Sequence, residues 1–230
     1  MATSLGDRWA EVVASIGALM NYYEKGNVLL SLGTIGHLRR RAAGAIGRCG
    51  ILLDLGAGPG YMAEAAGCGS RRRCVLVDAV PVGLRRAKLG PLAERVVAMH
   101  EWLPFREGAF GCATAGFSLR DSWSVGRALA EVRRALAEGG RLVVLDLGKP
   151  DGRIERFLVG AYWSLAPEIL GMMLGPLGPL YSRLRLTYYR LPRNGFLRRA
   201  LGAVFGEARV EELLGGGVII AVAVKARTHV

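Results

Sequence analysis

The segment Ile51-Leu52-Leu53-Asp54-Leu55-Gly56-Ala57-Gly58-Pro59-Gly60 constrains the fold more than any other stretch of this chain. Its apolar first half suits a buried parallel strand. The alternating glycines that follow let the backbone turn tightly and approach a ligand that any Cβ would obstruct. Tyr61 to Ala66 then reads as the start of a helix, so a nucleotide-like cofactor is expected at this strand-to-helix turn. The dinucleotide fingerprint Gly-x-Gly-x-x-Gly fails, because Tyr61 stands where the third glycine is due. A carboxylate just ahead of the first glycine repels a pyrophosphate, but it pairs well with a ligand that has a cationic amino-acid end.

S-adenosylmethionine (SAM) has such an end, and Asp54-Leu55-Gly56-Ala57-Gly58-Pro59-Gly60 resembles the first motif of the class I SAM-dependent methyltransferases. Val75-Leu76-Val77-Asp78 resembles their second strand with its terminal acid, which holds the ribose hydroxyls because one carboxylate accepts both protons. Further along stand Trp102-Leu103-Pro104-Phe105 with Phe110, Phe117-Ser118-Leu119-Arg120-Asp121, Ala128 to Leu136, and Gly139-Gly140. These resemble the ubiquinone/menaquinone C-methyltransferase family, and the similarity covers nearly the whole chain.

The resemblance implies a Rossmann-like α/β fold: a mostly parallel seven-stranded sheet with helices on both faces and an antiparallel edge strand. It implies SAM as cofactor and no metal. The cofactor residues it marks are Asp54, Gly56, Ala57, Gly58, Gly60, Asp78, Ala79, Met99, His100 and Phe117. For catalysis it points to Arg120, Asp121 and Tyr23, with Arg120 stabilising a phenolate or orienting water, since an arginine does not give up its proton. Tyr23 would line the acceptor pocket. The reaction expected is C-methylation of a prenylated, demethylmenaquinol-like quinol by in-line methyl transfer, which rests mainly on holding the two reactants in line and excluding water.

The chain departs from that family at several points. Asp121 replaces the usual Asn and either adds a base or pairs with Arg120. Met99-His100 replaces an Asp-Ala pair whose Asp accepts from the adenine amine. Backbone at Met99 and His100 is then expected to hold adenine, with the Met99 side chain stacking on the ring. His100 at the adenine end is too far from the methyl to serve as base. Gly111 replaces an Asp, a structural exchange. Asp146, at a strand end facing the same crevice, is either a polar contact or structural.

With 51% hydrophobic residues among 230, the chain can build one sizeable core. A single methyltransferase domain over 1–230 is expected, with helices in 1–47 covering the active site and a helical lid in 150–195 carrying substrate specificity. Amphipathic helices are expected over Arg8 to Tyr23 and Ile35 to Ile46 (with Arg39, Arg40 and Arg41 on or near the exposed side), and helical stretches over Val82 to Leu89 and Ser124 to Leu136. Strands are expected at Ile51 to Leu55, Cys74 to Asp78, Arg95 to Met99, Gly111 to Ala115, Arg141 to Leu147 and Gly217 to Val224. The apolar stretch Phe157 to Tyr181 contains Pro167, Glu168, Pro176 and Pro179, which argues against one continuous spanning helix.

Cys49, Cys68, Cys74 and Cys112 are too few and too irregular for a disulfide scaffold and read as core thiols. The N-terminus lacks a signal-peptide pattern, which points to a cytoplasmic protein, peripheral at the membrane if the acceptor is a lipid quinol. The 31 basic against 19 acidic side chains leave a net charge of +12. That charge fits an anionic membrane surface, nucleic acid, or simply the arginine-rich, glutamine-free composition of a thermophile-like proteome. A methyltransferase of RNA or another small molecule, and a SAM-binding protein without transferase activity, remain open. Against RNA, no Asn-Pro-Pro-Tyr-like motif follows the fourth strand. Oligomeric state is not legible.

Overall fold

A computed structural model describes residues 22–173 and 188–227, together with positions 10, 11, 14 and 17, which are helical. Among the described residues the elements are α1 (Tyr23–Leu30), α2 (Ile35–Gly44), β1 (Ile51–Leu55), α3 (Tyr61–Ala65), β2 (Arg73–Asp78), α4 (Pro81–Arg86), β3 (Ala93–Val97) and β4 (Phe110–Gly116). A 3-10 turn at Leu119–Asp121 leads to α5 (Val125–Ala135), β5 (Leu136–Leu147), α6 (Arg153–Met173), α7 (Asn194–Phe205), β6 (Gly206–Leu213) and β7 (Val218–Lys225). Most of the expected helix Arg8 to Tyr23, and the rest of the apolar stretch beyond Met173, lie outside the described residues.

The strands form one seven-stranded sheet in the order β3-β2-β1-β4-β5-β7-β6. The first five are parallel, and β7 runs antiparallel between β5 and β6. The strand order reverses between β1 and β4, and in such a sheet ligands bind in the crevice beyond the carboxyl ends of the strands that flank the reversal.

Alternation along each strand divides the core between two faces. Leu53, Leu55, Leu142 and Val144 pack with Leu129 and Val132 of α5 and Leu201 and Phe205 of α7. Leu52, Leu76, Val143 and Leu145 pack on the other face with Leu38 and Ala42 of α2, Met62 of α3 and Leu84 of α4. Each such Leu, Ile or Phe side chain contributes about 1.5–3 kcal/mol when fully buried. The sequence of α5 accounts for its packing: Val125, Ala128, Leu129, Val132 and Ala135 make one buried stripe. Its Ser124 side chain accepts from the Arg127 N–H at the start, and Arg133 and Arg134 stand in the last turn.

Several boundaries differ from those expected. β3 begins and ends two residues earlier, so Met99 and His100 lie in the loop beyond it. α5 ends at Ala135, and the following residues already belong to β5, with a register shift opposite Phe110 and Cys112. α6 continues through Pro167 and does not stop there, with Trp163 and Leu170 buried on either side of it. No helix among the described residues is long and apolar enough to cross a membrane.

The cysteines are paired, Cys49 with Cys112 and Cys68 with Cys74, which corrects the reading of them as thiols. The fold brings Cys112 on β4 beside the loop that precedes β1, a proximity that sequence spacing does not reveal.

Candidate active site

The crevice beyond β1 and β4 is a cleft walled by Gly56, Ala57, Gly58, Asp78, Ala79, Met99, His100, Phe117, Arg120 and Asp121. Gly56 and Gly58 have φ of 60° and 50°, the left-handed region that favours glycine. A Cβ on Gly56 would lie 2.3 Å from the Ser118 Cβ. Asp78, at the end of β2, accepts the Gly58 N–H on Oδ2 and the Val80 N–H on Oδ1, each at 2.7 Å. One carboxylate therefore fixes both the glycine turn and the loop after its own strand. Burial pushes its pKa up, and those two N–H donors pull it partly back.

Asp54 behaves differently from what was expected. It is fully buried beneath the turn and is not on the cleft wall. Its Oδ1 accepts the Thr114 hydroxyl at 2.7 Å, and its Oδ2 has no hydrogen-bond partner. Burial pushes the carboxyl up to about 7, and Thr114 and the nearby Ala63 N–H offset that only in part. Gly60 also stands off the wall: at φ 86° it lets the turn enter α3, where a Cβ would crowd Ala87 and Leu89.

His100 makes a hydrogen bond through Nδ1 to the Ser122 hydroxyl at 2.9 Å. Burial lowers its pKa to about 4, so the ring is neutral at physiological pH. Phe117 has φ 56°, a strained conformation for a residue with a side chain, held by its N–H donating to the Leu145 carbonyl at 2.7 Å.

The 3-10 turn carries Arg120 between two acids. Its guanidinium pairs with Asp146 at the end of β5 and lies 3.7 Å from Asp121. All three side chains are largely withdrawn from solvent. Burial raises the Asp121 carboxyl to about 6; Arg120 opposes that shift, while Asp146 and Asp78 add to it. Asp121 is therefore mostly ionised at neutral pH yet close enough to titrate.

Arg120 and Phe117 also line a second, larger chamber of about 520 Å³. Its other walls come from α1 and the turn after it (Leu30, Leu32), α2 (Ile35, Leu38), α6 (Val159, Tyr162, Trp163) and the β6–β7 turn (Leu214, Val218). The cover is tied down at two points. The Tyr162 hydroxyl donates to the Leu30 carbonyl at 2.6 Å, and Arg39 holds Glu24 with two hydrogen bonds of 2.6 and 3.0 Å.

Residues 53–144 match the family model described as a methyltransferase domain. The demethylmenaquinone methyltransferase of Mycobacterium sp. (strain KMS) is 30% identical over 219 residues, covering 94% of each chain. The chain belongs to the class I SAM-dependent methyltransferases. The ubiquinone/menaquinone biosynthesis C-methyltransferase of Geobacter sp. (strain M21) is 29% identical across 73% of this chain and 77% of its own. In fold, the chain resembles a SAM-dependent methyltransferase from Thermotoga maritima, with a TM-score of 0.66 at 16% identity over 93% of this chain and 99% of that one.

The cofactor of this methyltransferase is SAM, and the cleft fits it: the glycine turn is a cradle that a Cβ would fill, and an acid lines the wall after β2. Of the residues read from sequence, Asp54 and Gly60 shape the turn from behind, while the others marked for the cofactor line the cleft. Tyr23 opens α1, and its side chain lies outside the described part. Arg39 was expected near the exposed side, but it is 7% exposed, stacks over Tyr61 at 4.8 Å and lines the cleft. Arg40 and Arg41 do face solvent. Glu101, Ser118 and Ser122 also line the methyltransferase cleft and were missed. The pairing of Arg39 with Glu24 was invisible because it joins two helices across a turn.

Proposed function

We propose that this methyltransferase C-methylates a prenylated quinol of the demethylmenaquinol type. The observation that carries the reading is the shared wall: Arg120 and Phe117 stand between the cofactor cleft and the apolar chamber. A flat, greasy acceptor in that chamber would meet the cleft only at this wall, and the names of the relatives favour a quinone-type ring.

Asp78 and the backbone of the glycine turn would hold the ribose and methionine parts of SAM, with Met99 and His100 beside the adenine. When bound, SAM supplies an electrophilic methyl group. The chain's own work is to place the acceptor ring, exclude water and handle a hydroxyl proton. Arg120 would stabilise the ring oxygen as it becomes negative, Asp146 fixes the guanidinium, and Asp121 would take the hydroxyl proton. Residues 1–47 and 150–195 would act as cover and specificity region of a single domain.

The assignment is tested by methyl transfer to a demethylmenaquinol analogue, measured beside total RNA and a control without acceptor. Labelled RNA with an unlabelled quinol would replace this reading with the RNA one. SAM binding without labelling of either would leave a binding protein.

Asp121 gives a pH prediction. Because the base works only when deprotonated, log kcat should rise with unit slope up to about pH 6 and then level off. Asp121→Asn should remove that limb and lower the plateau roughly 10²-fold. A wild-type profile flat between pH 5 and 7 refutes the role.

The outer face of α6 supports contact with a lipid surface. Ile154, Phe157, Leu158, Leu165, Ile169 and Met172 are exposed at helical spacing, and Arg153, also exposed, stands at the start of the same helix. Phe157→Glu should weaken binding to anionic phosphatidylglycerol vesicles about tenfold while sparing transfer to a short-tailed, water-soluble acceptor. Equal vesicle binding by the variant would remove the membrane contact.

A further inference from the structure

The chamber is apolar at most points, and one polar member of its lining has an unpaired amide nitrogen. Asn27 lies within α1 and lines the chamber. Its Nδ2 is buried with no hydrogen-bond partner among the described residues. The same lining includes Leu30, Ile35, Leu38, Val159 and Trp163. A buried amide left unpaired is unfavourable, and asparagine is a weak helix former, so a leucine here would make the empty protein more stable.

We infer that Asn27 forms a polar subsite of the chamber, hydrogen-bonding an oxygen substituent on the acceptor ring. The inference rests on the chamber being the acceptor site and adds how the ring is oriented there. A carboxamide turned about its χ2 offers either its NH2 or its carbonyl, so it serves a carbonyl, an ether or a hydroxyl oxygen. Arg120, in the same lining, only donates and carries the charge. Two polar contacts of different kind on a doubly oxygenated ring set its rotation within its own plane. That rotation decides which ring carbon faces the shared wall, and therefore which carbon receives the methyl group.

The test uses a matched pair of unreactive probes, 1,4-dimethoxynaphthalene and 1,4-diethylnaphthalene, which differ in having an ether oxygen or a methylene at the same place. Calorimetry on the wild-type protein should show preference for the oxygenated probe. Asn27→Leu should cut that preference about five- to tenfold, the loss of one neutral hydrogen bond. Asn27→Ala should do the same without adding bulk. SAM affinity should be unchanged in both variants, and the thermal midpoint of Asn27→Leu should not fall. Retention of the preference in both variants, absence of it in the wild type, or an equal fall in SAM affinity overturns the inference. If the preference behaves as expected but no methyl reaches a demethylmenaquinol analogue, the quinol assignment fails and the subsite stands.

Discussion

Replacement of Arg120 by lysine should lower kcat for methyl transfer roughly 10²-fold while leaving SAM affinity within about threefold. The guanidinium reaches Asp146 and Asp121 together and faces both the cleft and the chamber. Lysine keeps the positive charge beside Asp146 but loses the planar fork that serves several partners at once. Leucine would be a poorer probe, since it leaves a buried carboxylate uncompensated at a cost of about 3–5 kcal/mol and confounds activity with folding. The readout is kcat at saturating SAM together with SAM affinity by calorimetry. Unchanged kcat, or a fall in SAM affinity as large as the fall in kcat, would contradict a role at the acceptor oxygen.

Gly56→Ala should abolish measurable SAM binding and lower the thermal midpoint by about 4–20 °C. Two effects combine. At φ 60° an alanine is strained by about 1–2 kcal/mol, and its Cβ would sit 2.3 Å from the Ser118 Cβ, adding an overpacking cost of about 1–3 kcal/mol. Ser118 cannot easily retreat, because its hydroxyl donates to the Leu55 carbonyl at 2.7 Å. Gly58→Ala is the internal comparison: its φ is 50°, but the nearest atom to a Cβ is Asp78 Oδ2 at 3.9 Å. It should therefore show only the backbone strain and a smaller drop. Equal midpoints for the two variants would mean that the Ser118 contact does not matter.

The residues that make the glycine turn were legible because their chemistry is local. A strand of buried apolar residues, an acid and alternating glycines have few other uses, and the acid at the end of β2 follows at a regular spacing. The same locality explains the errors. Asp54 reads from sequence as a ligand for a cationic end, yet its neighbours across the sheet enclose it, with Thr114 sixty residues away taking one oxygen. Arg39 reads as one of three surface arginines until Glu24 and Tyr61 are placed around it. Asn27 carries no signal in sequence, since only the fold shows its Nδ2 unpaired among the described residues of a mostly apolar wall.

By itself the sequence determined the α/β class, the site of the strand-to-helix turn and the SAM-type cofactor, because hydrophobic periodicity and glycine's backbone freedom act over a few residues. Tertiary structure alone decided that the cleft and the apolar chamber meet at Phe117 and Arg120, and that Asp146 and Asp121 bracket that arginine. The physical reason is that burial and ion pairing depend on groups distant in sequence, brought together when β1, β4 and β5 align their carboxyl ends. Only there does desolvation move the Asp121 carboxyl up to about 6.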